Sequence, residues 1–172
     1  MTRYRLAPHP DHPPLGITGV AVDLTFATGG FLHLTYRVEG GGDVTWPAPV
    51  APARTNELWR RTCFELFVRA DEGGGYAEFN FSPSGQWAAY AFDGYRAGMR
   101  DLSLPVPPAV GRDGDTVRVT LAGAPAGAMA LTAVIEEAGG RRSFWSLAHP
   151  AGAPDFHHAD CFVARLAAPG AA

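Results

Sequence analysis

The stretch YAEFNFSPSGQWAAYAF, residues 76 to 92, places Tyr76, Glu78 and Asn80 at every second position with Ala77, Phe79 and Phe81 between them. Successive side chains of a strand point to opposite faces, so this segment has one apolar face and one bearing a ring, a carboxylate and an amide. Two phenylalanines on one side demand burial, whereas an unpaired carboxylate and amide there would each carry a desolvation penalty of about 1 to 3 kcal/mol. Ala77, Phe79 and Phe81 are therefore expected to face the core, and Tyr76, Glu78 and Asn80 to line an exposed, concave sheet face. After the Ser82–Gly85 turn the chain resumes as a second β-type run carrying Trp87 and Tyr90.

Similar runs recur along the chain, and apolar residues at helical spacing are almost absent. Strands are predicted at 18–27, 31–38, 61–69, 75–81, 86–92, 116–121, 129–136, 142–148 and 160–166, with Leu66 and Val119 buried beside Phe79 and Phe81. Gly29-Gly30, Gly73-Gly74-Gly75, Asp113-Gly114 and Gly139-Gly140 supply the positive φ that tight hairpins need. About nine strands in one domain, residues 1–172 with an ordered core of about 15–167, fit an all-β, antiparallel two-sheet sandwich. The Pro-rich stretches 48–53 and 104–110 cannot join a central ladder and are expected to be crossing loops. One helical turn is predicted near Leu58, capped by Thr55 or Asn56, and the C-terminal AAPGAA is expected to fray.

Composition excludes several functions. The 172 residues are 47% hydrophobic, enough for one substantial core, and the net charge of -3 is built from scattered Arg with no Lys. That argues against a nucleic-acid or membrane partner. The N-terminal MTRYRLAPHPDHPP has no apolar core of a signal peptide, and a cytoplasmic location is the expectation. Cys63 and Cys161 lie far apart and match no metal-knuckle spacing, so both are expected to be reduced, buried thiols. Open edge strands leave a homodimer possible.

Candidate chemistry sits in three places. In LWRRTCFELFVR, residues 58–69, Trp59 precedes a strand on which Cys63, Glu65 and Phe67 share a face. The plain alternative is that Trp59 plugs the end of the core while Glu65 pairs with Arg61. The run from Tyr76 adds Glu78, Asn80, Trp87 and Tyr90. Rings beside carboxylate and amide groups suit a sugar, whose C–H faces stack on rings while its hydroxyls need fixed donors and acceptors. A solvated outer face is the alternative. Finally, His149, Asp155, His157, His158 and Asp160 crowd the segment FWSLAHPAGAPDFHHADCF beside Trp145, lining a pocket or tying the chain together. They lack the helical or cysteine spacing of a zinc site, and no metal or cofactor is expected. SPSG lacks the first glycine of a nucleophile elbow, and the glycine clusters open no helix. Glu65 and Glu78 are the one conceivable glycosidase pair. The reading is a binding module rather than an enzyme.

The blocks LWRRTCFELFVR, YAEFNFSPSGQWAAYAFDGYR, FWSLAHP and PDFHHADCF resemble those of the bacterial DOMON-like proteins related to family 9 carbohydrate-binding modules, across residues 54–166. The resemblance implies a jelly-roll-like sandwich whose members bind sugars or haem without being enzymes. A Trp followed six residues later by a strand Glu is a sugar-contacting pattern in those modules and falls here on Trp59 and Glu65. Their second stacking Trp lies late in the chain, where Trp145 stands. Fusion of some members to a cell-wall precursor reductase implies an amino-sugar or sugar-nucleotide ligand. The haem branch implies Met and His axial ligands, for which Met99 with His149 or His157 are the candidates. A protein-interaction or assembly module is the remaining alternative.

Overall fold

The β-type runs become strands whose alternation decides what each face meets. The structure, a computed structural model, describes residues 1–40, 42–71 and 74–168; Gly73 and the last residues of the AAPGAA stretch lie outside these. The strands are β1 (Thr2–Pro8), β2 (Gly19–Phe26), β3 (Leu32–Glu39), β4 (Cys63–Ala70), β5 (Tyr76–Phe81), β6 (Trp87–Phe92), β7 (Arg100–Asp101), β8 (Ala109–Asp113), β9 (Thr116–Leu121), β10 (Gly127–Glu137), β11 (Arg141–Ser146) and β12 (Ala164–Leu166). The helical segments among the described residues are single 3-10 turns. The protein is an all-β, antiparallel sandwich.

One sheet runs β8-β9-β3-β2-β1 and the other β7-β6-β5-β4-β10-β11, with β12 also on β10. The strand β1 joins them, because Thr2 to Leu6 pair with β2 while Ala7 and Pro8 pair with β11. Alternation packs Val20, Val22, Leu34, Tyr36 and Val119 of the first sheet against Phe64, Leu66, Phe79, Phe81 and Leu131 of the second. The Tyr36 hydroxyl crosses this core to donate to the Glu65 backbone carbonyl at 2.9 Å. Gly127, at φ +152, starts β10 where an added Cβ would collide with the Arg69 carbonyl, so only glycine fits there.

Several expectations need correcting. The ordered core begins at Thr2 rather than near residue 15. The polar strand β1 gave no apolar alternation to read, yet it is tied down by Arg3 on Asp23 (2.6 Å) and Arg5 on Glu39 (2.6 Å). The predicted strand at 160–166 shrinks to β12, its first part being the 3-10 turn Ala159–Cys161. At the turn Leu58–Arg60 the N-cap is Glu57, without a side-chain cap, and Asn56 is engaged elsewhere. Both cysteines are buried and free.

The largest correction concerns the opening stretch. Ala77, Phe79 and Phe81 face the core as alternation requires, but Tyr76, Glu78 and Asn80 are not on an exposed face. They turn to a second apolar layer, in which Phe67, Tyr76, Tyr90 and Phe92 meet Leu58, Phe156, Cys161 and Phe162. The sheet is thus buried on both sides. Truncating Phe79, which is fully buried between the sheets, is expected to lower unfolding free energy by about 3–5 kcal/mol, measured as the urea midpoint of Phe79→Ala against the parent.

Candidate functional site

Two rows of side chains cross the outer face of the second sheet. By register, Thr132, Glu65, Asn80 and Ala88 form one row, and Ala130, Phe67, Glu78 and Tyr90 the next. Ala88 and Ala130 are short, so the rows leave a hollow instead of packing flat. Over it lie the turn at Leu58, the loop from Asp93 to Met99, and the segment from Leu147 to Val163. Together they enclose a cavity of about 810 Å³. Its wall includes Trp59, Phe67, Tyr90, Phe92, Phe144 and Phe156, and its polar lining includes Asn56, Glu65, Glu78, Arg96 and His157. That volume lies within the usual range for small-molecule sites.

A chain of polar contacts pins the cover. Asp155 accepts from Arg96 at 2.7 Å and from the Tyr95 hydroxyl, and its carboxylate also takes the His157 backbone N–H at 3.1 Å. The Tyr76 oxygen accepts from the Arg96 backbone N–H at 3.2 Å and lies 2.7 Å from His157 Nδ1. Nε2 of His157 faces Glu78 Oε2 at 3.8 Å. Burial lowers the His157 pKa to about 4, so the ring is neutral at ordinary pH. The only non-glycine residues with positive φ among the described residues, Glu57 and Arg96, both line this cavity. Such strain gathers at binding and catalytic sites.

The two acids set the electrostatics. Glu65 is 2% exposed; its Oε2 accepts from the Thr132 hydroxyl at 2.8 Å. Glu78 is 5% exposed and accepts from Asn80 Nδ2 at 2.8 Å. Burial, reinforced by the neighbouring Glu78 charge, raises Glu65 to about 8, and burial raises Glu78 to about 7 against the opposing pull of Asn80 and Arg96. Near neutrality the hollow therefore holds carboxyls that can donate as well as accept. Asn80 Oδ1 is buried without a partner.

Of the residues picked out by sequence, Trp59, Glu65, Glu78, Tyr90 and His157 line this cavity, with Asn80 and Tyr76 bonded to members of it. Trp59 is 44% exposed at its mouth, not a core plug, and Arg61 pairs with Glu136 instead of Glu65. Trp87 does not belong to the site. It stands opposite Phe81 in the hairpin, so it shares the core face and lies under the Arg54 guanidinium. Trp145 likewise faces the core, with its Nε1 donating to Ser143 Oγ at 2.9 Å; its neighbour Phe144 takes the cavity side. His149 is turned away, its Nε2 donating to the Ala7 carbonyl at 2.9 Å. Sequence reasoning missed Asn56, which accepts from the Tyr90 hydroxyl at 2.7 Å, and Arg96, Phe92, Phe144 and Phe156. Parity marks Phe92, two residues on from Tyr90, and register marks Phe144, which stands across from Val134 of β10, another residue of the cavity lining; the loop residues carry no such signal. Among the described residues no three His, Cys, Asp or Glu side chains converge as a metal site would require.

No protein-family model and no curated protein matches the chain. Among solved structures it is similar to a protein of Bacteroides uniformis ATCC 8492 described as a "putative carbohydrate-binding protein". The TM-score is 0.67 at 16% sequence identity, covering 94% of this chain and 83% of that one. At that identity the likeness establishes the fold.

The raised carboxyls make a stability prediction with a definite sign. Folded Glu65 keeps its proton to about pH 8, while an unfolded Glu loses it near the ordinary value of 4.5. Between those pH values the folded state binds more protons, so stability falls as pH rises. Glu65→Gln removes this dependence, and relative to the parent it should gain up to about 1.4 kcal/mol per pH unit across that window. Urea titrations of both proteins at about pH 5 and about pH 8 measure it; equal slopes would mean that Glu65 ionises normally.

Proposed function

We propose that the protein is a non-catalytic binding module of the DOMON and family 9 carbohydrate-binding type, and that the cavity beneath the Leu147–Val163 segment takes a sugar or sugar derivative. The observation that carries this reading is the pairing of an aromatic wall, Trp59 at the mouth with Phe67, Tyr90, Phe92, Phe144 and Phe156 inside, with a floor of buried carboxyl groups. A pyranose offers the same division, apolar C–H faces and a rim of hydroxyls. The structural likeness to a protein described in carbohydrate-binding terms points the same way.

Each part then has a role. Trp59 offers a half-exposed ring to the first sugar face that arrives. Glu65 and Glu78 accept hydrogen bonds from hydroxyls when ionised and donate to ring or hydroxyl oxygens when protonated. His157, neutral and fixed by Tyr76, presents its Nε2 edge beside Glu78. Arg96 is neutralised by Asp155 and shapes the rim rather than drawing in an anion.

A glycan and sugar-derivative panel screened by thermal shift should give at least one ligand that raises the melting temperature, because binding only the native state stabilises it. By calorimetry with that ligand, Trp59→Ala should weaken binding by about 2 kcal/mol or more, and Glu65→Gln should weaken it too. Trp87→Phe, on the core face, should bind as the parent does. If Trp59→Ala and Glu65→Gln both bind normally, the cavity is not the site. A Soret band on adding haem, lost in Met99→Ala, would favour the haem-binding branch instead.

A further inference from the structure

Five acidic side chains are buried among the described residues, and three of them are fully accounted for. Asp23 is held by Arg3 and Arg37, Glu136 by Arg61, and Glu137 by the backbone N–H groups of Leu15 and Gly16. Among the described residues no cationic group contacts Glu65 or Glu78, and the Arg96 charge acts on Glu78 only from a distance. Their partners are a threonine hydroxyl and an asparagine amide, and the nearest ring nitrogen, on His157, is 3.8 Å from Glu78 and uncharged. No hydrogen bond reaches Glu65 Oε1, although the side chain lines the cavity and is almost wholly buried. Burying an acid without a counter-ion is unfavourable, and acids perturbed in this way cluster at functional sites.

We infer that the ligand carries a cationic nitrogen, an ammonium group seated between the Glu65 and Glu78 carboxylates inside the ring of aromatic side chains. This rests on the cavity being a binding site. The box has both ingredients that ammonium recognition uses, carboxylates for the charge and π-faces for the C–H groups around it. Phe67 lies in the row between Ala130 and Glu78, Tyr90 stands directly across from Glu78, and Phe92 and Phe144 close the sides. Arg96, the one guanidinium in the lining, does not fill this place, because its charge is spent on Asp155 at 2.7 Å.

Entry of a cation makes the carboxyls give up their protons, and this gives the binding a pH dependence that a neutral sugar lacks. The other titratable groups around the pair stay silent near neutrality. Cys63 on β4, Tyr76 on β5, Tyr90 on β6 and Tyr36 from the facing sheet are all raised by burial and remain protonated. His157 is lowered and stays neutral, Asp155 is lowered and stays ionised against Arg96, and Glu57 at the mouth pairs with Arg60 at 2.8 Å.

The test is calorimetry with tetramethylammonium, whose charge does not titrate, beside glucosamine, glucose and N-acetylglucosamine. The two cations should bind, glucosamine about tenfold or more tighter than glucose, with an observed enthalpy that changes linearly with the buffer's ionisation enthalpy as protons are released. Affinity for tetramethylammonium should rise by up to about tenfold per pH unit for each proton released, from about pH 6, and level off by about pH 8.5. Glu65→Gln and Glu78→Gln, each first checked for a parent-like circular dichroism spectrum, should each reduce the proton release and the preference for the amine, and the double variant should abolish both. Should glucose or N-acetylglucosamine bind as tightly as glucosamine, without proton release, the ammonium assignment fails while the sugar site stands. Binding of no probe at all overturns the ammonium assignment, and the sugar site falls with it if the wider glycan panel is also silent. Cation binding that survives both Gln variants places the ammonium elsewhere and overturns the assignment as well.

Discussion

The constraint on which the rest depends is that the sheet formed by β5, β4 and β10 has protein on both faces. Strand alternation would leave one face to water in an ordinary sandwich. Here the outer face is roofed by the segment after β11 and by the loop after β6, and the contacts of Asp155, Arg96, Tyr76 and His157 hold the two together. Everything unusual about the site follows from that roof. Side chains that alternation assigns to the outside, Glu65, Glu78 and Asn80, lose their water without entering the core. Their raised protonation is the consequence, with burial the leading cause.

The cavity then owes its existence to side-chain size. Each of the two rows across the sheet sets three larger side chains beside one alanine: Thr132, Glu65 and Asn80 end on Ala88, while Ala130 precedes Phe67, Glu78 and Tyr90. Close packing is the rule inside proteins, so a persistent hollow lined by a full ring of aromatics and two acids is a departure that stability alone does not explain. The positive φ of Glu57 and Arg96 at its rim is a second departure in the same place. Two independent deviations from the lowest-energy arrangement thus meet at one cavity, the kind of place where departures from local rules gather in functional proteins.

How much of this was legible in the sequence can be judged residue by residue. The period of two between Tyr76 and Phe81 sufficed for the all-β class, for the core side of β5 and for the shared face of Cys63, Glu65 and Phe67, since these depend only on local alternation. The placement of Trp87 was also decidable. A tight turn over Ser82–Gly85 puts Trp87 opposite Phe81, and directly paired residues share a face. Treating every tryptophan as a platform overrode that parity, and the same holds for Trp145, where Phe144 is the residue of the right phase. The roof was not decidable, because the Leu147–Val163 segment has no periodicity and its position comes from long-range contacts such as Asp155 with Tyr95 and Arg96. For the same reason β1 escaped notice, its anchorage being ionic and remote in sequence.

Exposure and burial lead to different chemistry for the same residues. On an open face, Glu78 and Asn80 would be hydrated and ionised or neutral in the ordinary way, and a ligand would compete with bulk water for each hydrogen bond. Under the roof, the lower effective dielectric strengthens every contact a ligand makes and equally strengthens the penalty for any group left unpaired. Glu65 and Glu78 meet that penalty by holding protons, a response open to acids but not to the permanently charged Arg96, which needs Asp155 instead. Below about pH 7 the empty site is therefore largely protonated, and it becomes anionic when a partner favours the charged form. A surface acidic patch lacks that property, because its charge is always present and always screened. The roof over the sheet is thus both what hid the site from a reading of the strands and what gives its two carboxyl groups a chemistry of their own.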